Sequence, residues 1–425
     1  MVGATNKWIG LLHRYDAAIW IRVAGNAINA MTTFIIRPFL ALYLFDKLNG
    51  SILDAMLVIG LQPFAGMLTG MLSGGLSDRF GRKPVMIAAL FIQVLCLGAY
   101  SLADSVWAFA VITAIIGVGS ALFTPAANAM ISDVVELDKQ AEVFALLHTA
   151  SNVGTAMGPA IGLMLFQWNP NVVFLGSAFV LLAYIFLVLW KVPESYKAAR
   201  KVEKQAVSST YSRWTDHKSL YALMLLATPI GLIYALVISM LPFHLGDHFK
   251  QPEDILASLM TLNGILVIAL QMWLVKRTER FAAASIVGVS YAMFAAVAFG
   301  YAYSPYIYLL FITETIFSVA EMLIGPHLQR TVSAIAPEEK RGFYFSIFSL
   351  HMHLPLALGP VAGGLLYEAF DGQVLFTMLG LVFVTAGTLQ TILIRRLKHK
   401  LHRDEHTRSS LIEHKAEKKV QISAP

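Results

Sequence analysis

Cysteine is nearly absent: the chain has one, Cys96, in 425 residues. That excludes an intramolecular disulfide framework and a Cys-x-x-Cys metal site. Charge is scarce too, at 14% of residues, against about 25% in soluble domains. No Gly-x4-Gly-Lys-Ser/Thr loop is present, so the chain has no phosphate cradle for using ATP. No constellation of nucleophile, base and orienting group supports an enzyme, and neither a cofactor nor a metal is expected. A cleavable signal peptide is not evident: Met1–Asp16 is polar, and no short apolar stretch with a small-residue cleavage site follows it.

What is there is apolar sequence, 57% hydrophobic with a mean hydropathy of +0.65. Such a chain is a polytopic membrane protein. Its net charge of +6 is no sign of nucleic-acid binding, because the basic residues sit in loops and in the tail. Lipids are the expected surroundings and a monomer the expected state.

Twelve apolar segments are long enough to cross a bilayer as helices, at about 17–45, 54–73, 85–103, 106–131, 141–166, 172–190, 219–243, 255–275, 282–303, 305–329, 342–367 and 373–394. The fold class is therefore all-α. Residues 1–190 form one group of six spans and 219–396 another. The polar stretch 191–218 reads as a cytoplasmic linker, and 397–425 as a charged cytoplasmic tail, disordered past its first turns. Lys7, Arg14, Arg79, Arg82, Lys83, Lys139, Lys276, Arg277, Arg280, Arg330, Lys340 and Arg341 all fall on the side of both termini, and the opposite loops hold only Lys47 and Lys250. Positive loops stay inside, so both termini are expected in the cytoplasm and the protein in the cell's inner (plasma) membrane.

The halves repeat. At an offset of 201 residues Pro125 meets Pro326, Phe144 meets Phe345, Gly158 meets Gly359, Pro159 meets Pro360 and Gly162 meets Gly363. This predicts a duplicated six-helix unit with a central site between two similar halves.

The loop between the second and third spans is dense in charge and reads Gly74-x-Leu76-x-Asp78-Arg79-x-Gly81-Arg82-Lys83-Pro84. Gly81 permits a tight turn, Pro84 suits the first turn of a helix, and Asp78 is placed to cap a neighbouring helix N-terminus. The loop closely resembles the one between helices 2 and 3 of the major facilitator superfamily. That resemblance implies two pseudo-symmetric six-helix bundles and a cytoplasmic gate in which Asp78 and Arg82 help hold the face shut. It also implies that Asp133, at the inner end of the fourth span, is the partner of Arg82. The counterpart in the second half, Val275–Phe281, keeps basic residues but lacks the Gly and Asp pattern.

Gly154-x-x-x-Gly158-Pro159-x-x-Gly162 gives the fifth span one smooth face for close helix approach, and Pro159 permits a bend. The same pattern resembles the fifth-helix motif of antiporters in that superfamily, which implies export by exchange. Gly117-x-Gly119 resembles a fourth-helix motif, but Thr113 stands where that motif has Arg.

Ionisable groups inside spans are costly and call for a reason. Glu321 lies near the middle of the tenth span, with Glu314 two turns earlier on a similar face. An unpaired carboxylate is costly there, so such a group suits gaining and losing a proton; the structural alternative is an ion pair with an Arg. The segment around Glu321, with Pro326, Pro337, Arg341, Gly342 and Tyr344, resembles the LmrP-type proton-driven multidrug transporters. This implies that Glu321 is a proton and drug site, and Arg22 falls where that group has a first-helix Arg. Arg22, Asn26, Asn29, Arg37, Gln62, Asn152, His351 and His353 are candidates to line the cavity, with Phe34, Tyr234 and Trp273 beside them. For Asn152, His148, His351 and His353, interhelical hydrogen bonds are the plain alternative.

These features together lead to the expectation of a proton-coupled antiporter that exports amphipathic small molecules by alternating access. The rivals are an exporter of one metabolite, sugar or lipid-linked compound, and a receptor or scaffold that transports nothing.

Overall fold

In the computed structural model the described residues are 14–48, 50–72, 76–195, 217–278, 280–337 and 341–422. They hold no strand and twelve long helices: α1 (Ala17–Lys47), α2 (Ile52–Leu72), α3 (Arg82–Tyr100), α4 (Val106–Val134), α5 (Leu137–Trp168), α6 (Pro170–Lys191), α7 (Lys218–Ser239), α8 (Pro252–Thr278), α9 (Ala283–Tyr303), α10 (Ile307–Ile335), α11 (Arg341–Ala369) and α12 (Gly372–Ile422). Two short helical segments, Leu76–Phe80 and Leu241–His248, sit between long ones.

Local chemistry sets the ends. Ser105 Oγ accepts from Ala108 N at 3.3 Å and starts α4; Asn169 Oδ1 accepts from Asn171 N at 2.9 Å and, with Pro170 following, starts α6. Eleven of the long helices are long and apolar enough to cross a bilayer. The exception is α5, which carries His148, Thr149, Ser151 and Asn152 in mid-helix. The seventh span ends earlier than its apolar run, at Ser239 rather than residue 243. Pro242 cannot donate to a carbonyl one turn back, so the chain breaks at Met240 and restarts as the short helix 241–248. The tail also differs from expectation, because α12 continues as helix to Ile422. Residues 395–422 contain neither Gly nor Pro and are rich in Lys, Arg, Glu and Leu, all good helix formers.

The helices pack in a pattern that repeats after six. In the first half α1 packs on α5 and α6, α2 on α4, and α3 on α4 and α6; in the second α7 packs on α11 and α12, α8 on α10, and α9 on α10 and α12. The contacts between halves, α2 with α11 and α5 with α8, exchange under the same shift. The fold is two pseudo-symmetric six-helix bundles.

Contacts across the halves run from mid-helix to the end away from the termini. There Leu53 N donates to Glu368 Oε1 at 3.1 Å, Gln167 Nε2 donates to Asp254 Oδ1 at 2.7 Å, and the Phe45 and Phe243 rings meet at 5.2 Å. Trp107, Trp168 and Tyr306 are exposed at that end and Trp190 and Phe281 at the other. Exposed Trp and Tyr side chains at opposite ends of an apolar bundle match a bilayer's two interfaces.

Candidate functional site

Glu321 is the central residue of α10 and is only partly buried. Its Oε2 accepts from Asn263 Nδ2 of α8 at 2.9 Å, and Tyr234 of α7 lies beside the carboxyl. Asn263 donates as well to Ser318 Oγ at 3.0 Å, one turn before Glu321. Glu314 is fully enclosed in the second bundle, and its Oε2 accepts from Tyr301 OH of α9 at 2.5 Å. Among the described residues neither carboxyl has an arginine partner, so the ion-pair alternative does not describe them there. The two share a helix side but face different partners.

The cross-half seam passes next to this network. Gly264, adjacent to Asn263, lies so close to α5 that a Cβ there would stand 2.4 Å from Ala156 Cβ. On the other seam a Cβ at Gly60 of α2 would stand 2.6 Å from the Ala357 carbonyl of α11. These glycines let the halves touch backbone to backbone.

Most of the first-half candidates lie apart from Glu321. Arg22 is buried, donates to Tyr184 OH at 3.0 Å, and lies over the Phe123 ring at 5.4 Å. Asn26 Nδ2 ties α1 to α5 by donating to Leu147 O at 2.8 Å and Ser151 Oγ at 2.5 Å. Asn29 is partly buried and offers its backbone carbonyl to the Thr32 and Thr33 hydroxyls. Arg37 and Gln62 share a polar cleft inside the first bundle. Asn152 meets His148 at 3.4 Å within α5, His351 Nδ1 meets Phe348 O at 2.5 Å within α11, and His353 is exposed. Among the described residues the hydrogen bonds of Asn152, His148 and His351 are within helices, because i to i+3 and i+4 neighbours lie closest on a helix surface. Of the aromatics, Tyr234 reaches Glu321, Phe34 packs at Gly158, and Trp273 is 62% exposed.

The glycine face of α5 lies against α1. A Cβ at Gly154 would be 2.2 Å from Ala27 O, at Gly158 2.7 Å from Phe34 Cβ, and at Gly162 2.4 Å from Ile35 O. Pro159 lies inside the helix beside them. In the second half Gly359 and Gly363 hold the same places against Ala235 and Leu236 of α7. Thr113 is buried and hydrogen-bonds Tyr100 OH at 2.5 Å and Phe109 O at 2.6 Å, so it is a packing residue.

At the loop end, Arg82 Nε lies 3.1 Å from Asp133 Oδ2 of α4, and Arg82 Nη1 donates to Ser77 Oγ at 2.8 Å. Ser195 Oγ donates to the same Asp133 oxygen at 3.2 Å. Arg79 is exposed, over its neighbour Phe80 at 5.3 Å. Gly81 has φ +94°, a conformation that suits glycine. Gly74 and the Asp78 side chain lie outside the described residues. The N-terminus of α3 is capped by Glu194, whose oxygens accept from Arg82 N and Lys83 N at 3.0 Å each. All of these groups belong to the first half or to the start of the linker that follows it.

Sequence reasoning did not single out Asn263, Tyr301 or Glu194. Asn263 had a signal, as one of two side-chain amides, with Gln271, in the apolar run of α8. Tyr301 had none among fifteen tyrosines. Glu194 could be seen as a charge after α6 but not as the cap of α3.

Comparison with known proteins agrees with this architecture. The family model described as Major Facilitator Superfamily matches residues 23–230 and 223–423. The chain is 30% identical over 390 residues to an uncharacterized MFS-type transporter, YhjO, of Bacillus subtilis (strain 168), covering 92% of this chain and 96% of the relative. It is 24% identical to a Na(+), Li(+), K(+)/H(+) antiporter of Planococcus maritimus (82% of this chain, 89% of the relative). It is 22% identical to the multidrug resistance protein MdtH of Klebsiella pneumoniae (strain 342), over 82% of this chain and 86% of the relative. Among solved structures, a POT family transporter in complex with a thioalcohol-conjugated peptide superposes with a TM-score of 0.75 at 12% identity, covering 90% of this chain and 96% of that one.

Proposed function

The chain belongs to the Major Facilitator Superfamily, a multi-pass membrane transporter and not an enzyme, and on that premise we propose that it is a proton-coupled antiporter exporting amphipathic small molecules by alternating access. It acts as a monomer in the inner membrane with both termini in the cytoplasm. The contacts between halves at the end away from the termini then describe a conformation closed outside and open toward the cytoplasm.

One observation carries the reading: Glu321, at mid-helix and with no cation partner among the described residues, is held by Asn263, whose neighbour Gly264 forms the seam with the other half. The ionised carboxyl accepts the Asn263 N–H, while the protonated one must also place an O–H. Proton gain or loss therefore acts on the turn of α8 that touches α5. A carboxylate is costly in a closed, dry seam and cheap in an open, hydrated one, so proton binding favours closure around it. If substrate favours proton release, each drives the other across. Glu314, two turns toward the outer end, serves as the outer relay. Arg82 and Asp133 hold the loop end of the first bundle in one piece as the halves move. The antiporter and multidrug names borne by distant relatives, and the LmrP-type resemblance around Glu321, support export by exchange.

The test is dye flux in proteoliposomes loaded with rhodamine 123 or 5-carboxyfluorescein under an imposed pH gradient. One proton per substrate and a one-unit gradient sustain about a tenfold accumulation of a carried dye. Glu321→Gln is expected to abolish that accumulation while leaving the protein inserted and some counterflow intact, since Gln imitates the neutral acid. Full gradient-driven flux in Glu321→Gln would refute the carrier role and move it to Glu314.

A further inference from the structure

The two arginines of α1 are in opposite situations. Arg22 has Tyr184 and Phe123 as partners. Arg37 has no hydrogen bond and no ion pair among the described residues. It lies within the apolar length of α1 and opens onto a cleft in the first bundle, lined also by Thr33, Gln62 of α2, Gln93 and Tyr100 of α3, and Ser120 of α4. No carboxylate is among the described residues that line that cleft. A guanidinium at this depth costs free energy unless something neutralises it.

The cleft's other polar groups divide into two kinds. Gln93 Nε2 is committed to Ala89 O, and the Tyr100 hydroxyl to Thr113. Arg37, the Gln62 amide and the Ser120 hydroxyl have no partner among the described residues, and all three are partly accessible. A guanidinium fork, an amide and a hydroxyl converging on one space are the donor set that recognises an oxyanion. Ile36, Leu40, Leu97, Ile116 and Leu181, with Thr32, complete the lining of a cleft of about 50 Å³, a space for a small head group and not for its apolar body.

We propose that this cleft binds the anionic group, a carboxylate, phosphate or sulfate, of an amphipathic transported molecule. The proposal rests on the transporter reading, and its experiment uses neither flux nor a gradient, so that either can fail alone. Glu321 and Arg37 then divide the labour between the halves, one handling the proton and the other the anionic end of the substrate.

The experiment is calorimetric titration of the full chain in phosphatidylcholine nanodiscs with octanoate, octyl phosphate, octyl sulfate and octyltrimethylammonium. At least one anion is expected to bind saturably, and the ammonium not at all. Losing a charge-assisted hydrogen-bonded pair weakens binding by about 10–100-fold, the loss expected for Arg37→Gln. Arg37→Lys should keep part of the affinity, and Gln62→Leu should lose less than Arg37→Gln. The comparison of anions with the ammonium needs no variant, so it decides even if Arg37→Gln fails to fold. Equal affinity in Arg37→Gln, equal binding of the ammonium, or no binding of any anion by the wild type would overturn the proposal. Binding that vanishes when phosphatidylglycerol is added would assign the cleft to a lipid headgroup, and would overturn it too.

Discussion

Replacing Gly154 by Ala adds one methyl group where α5 meets α1. That carbon would stand 2.2 Å from the Ala27 carbonyl oxygen and 2.8 Å from Met31 N. Both obstacles are backbone, so no side chain can swing aside; the helices must separate by about 1 Å to reach van der Waals contact. Overpacking of this kind costs about 1–3 kcal/mol. Helix propensity works the other way, since Ala is favoured over Gly by about 1 kcal/mol. The control is Gly176→Ala on α6, where an added Cβ meets nothing within 4 Å and only the propensity gain remains. The two variants should therefore differ by the overpacking term alone, about 1–3 kcal/mol, or on the order of 1–3 °C in melting temperature for a chain of this length. Tryptophan-fluorescence melts of both proteins in the same detergent give the comparison. Equal melting temperatures would refute the reasoning, and would mean that the glycine face is kept for something other than close helix contact.

Further outcomes follow from the same geometry. Glu194→Ala removes two charge-assisted hydrogen bonds from the N-terminus of α3 and should destabilise the protein by about 1–2 kcal/mol, read as a lower melting temperature, with Glu194→Gln losing less. Gly60→Val and Gly264→Val drive wedges into the two seams between halves, and double electron–electron resonance should show longer distances across the end away from the termini; unchanged distances would contradict the seam. Asn263→Ala removes the amide N–H that Glu321 accepts, and should shift the pH dependence of transport while leaving the dye preference unchanged.

Much of the site was legible one residue at a time. Glu321 and Arg37 stood out because charge in an apolar run is expensive wherever the helix ends up pointing. The glycines of the fifth span stood out because their spacing makes one face of a helix, whatever lies opposite. The Arg82–Asp133 contact followed from a resemblance, and the structure brings the two side chains together.

Partners were a different matter. Hydrogen bonds between helices depend on the rotation and depth of each helix, and an apolar helix in lipid has little amphipathic pattern to reveal either. So the sequence by itself determined twelve long segments, their duplicated order and the residues whose burial needs a reason. Only tertiary packing decided that Glu321 answers to Asn263, that Arg22 meets Tyr184 and Phe123, and that Arg37 is left with an open cleft. The physical reason is range. Hydropathy and backbone propensity act along the chain, whereas a hydrogen bond is decided within a few ångströms by whichever helix arrives opposite.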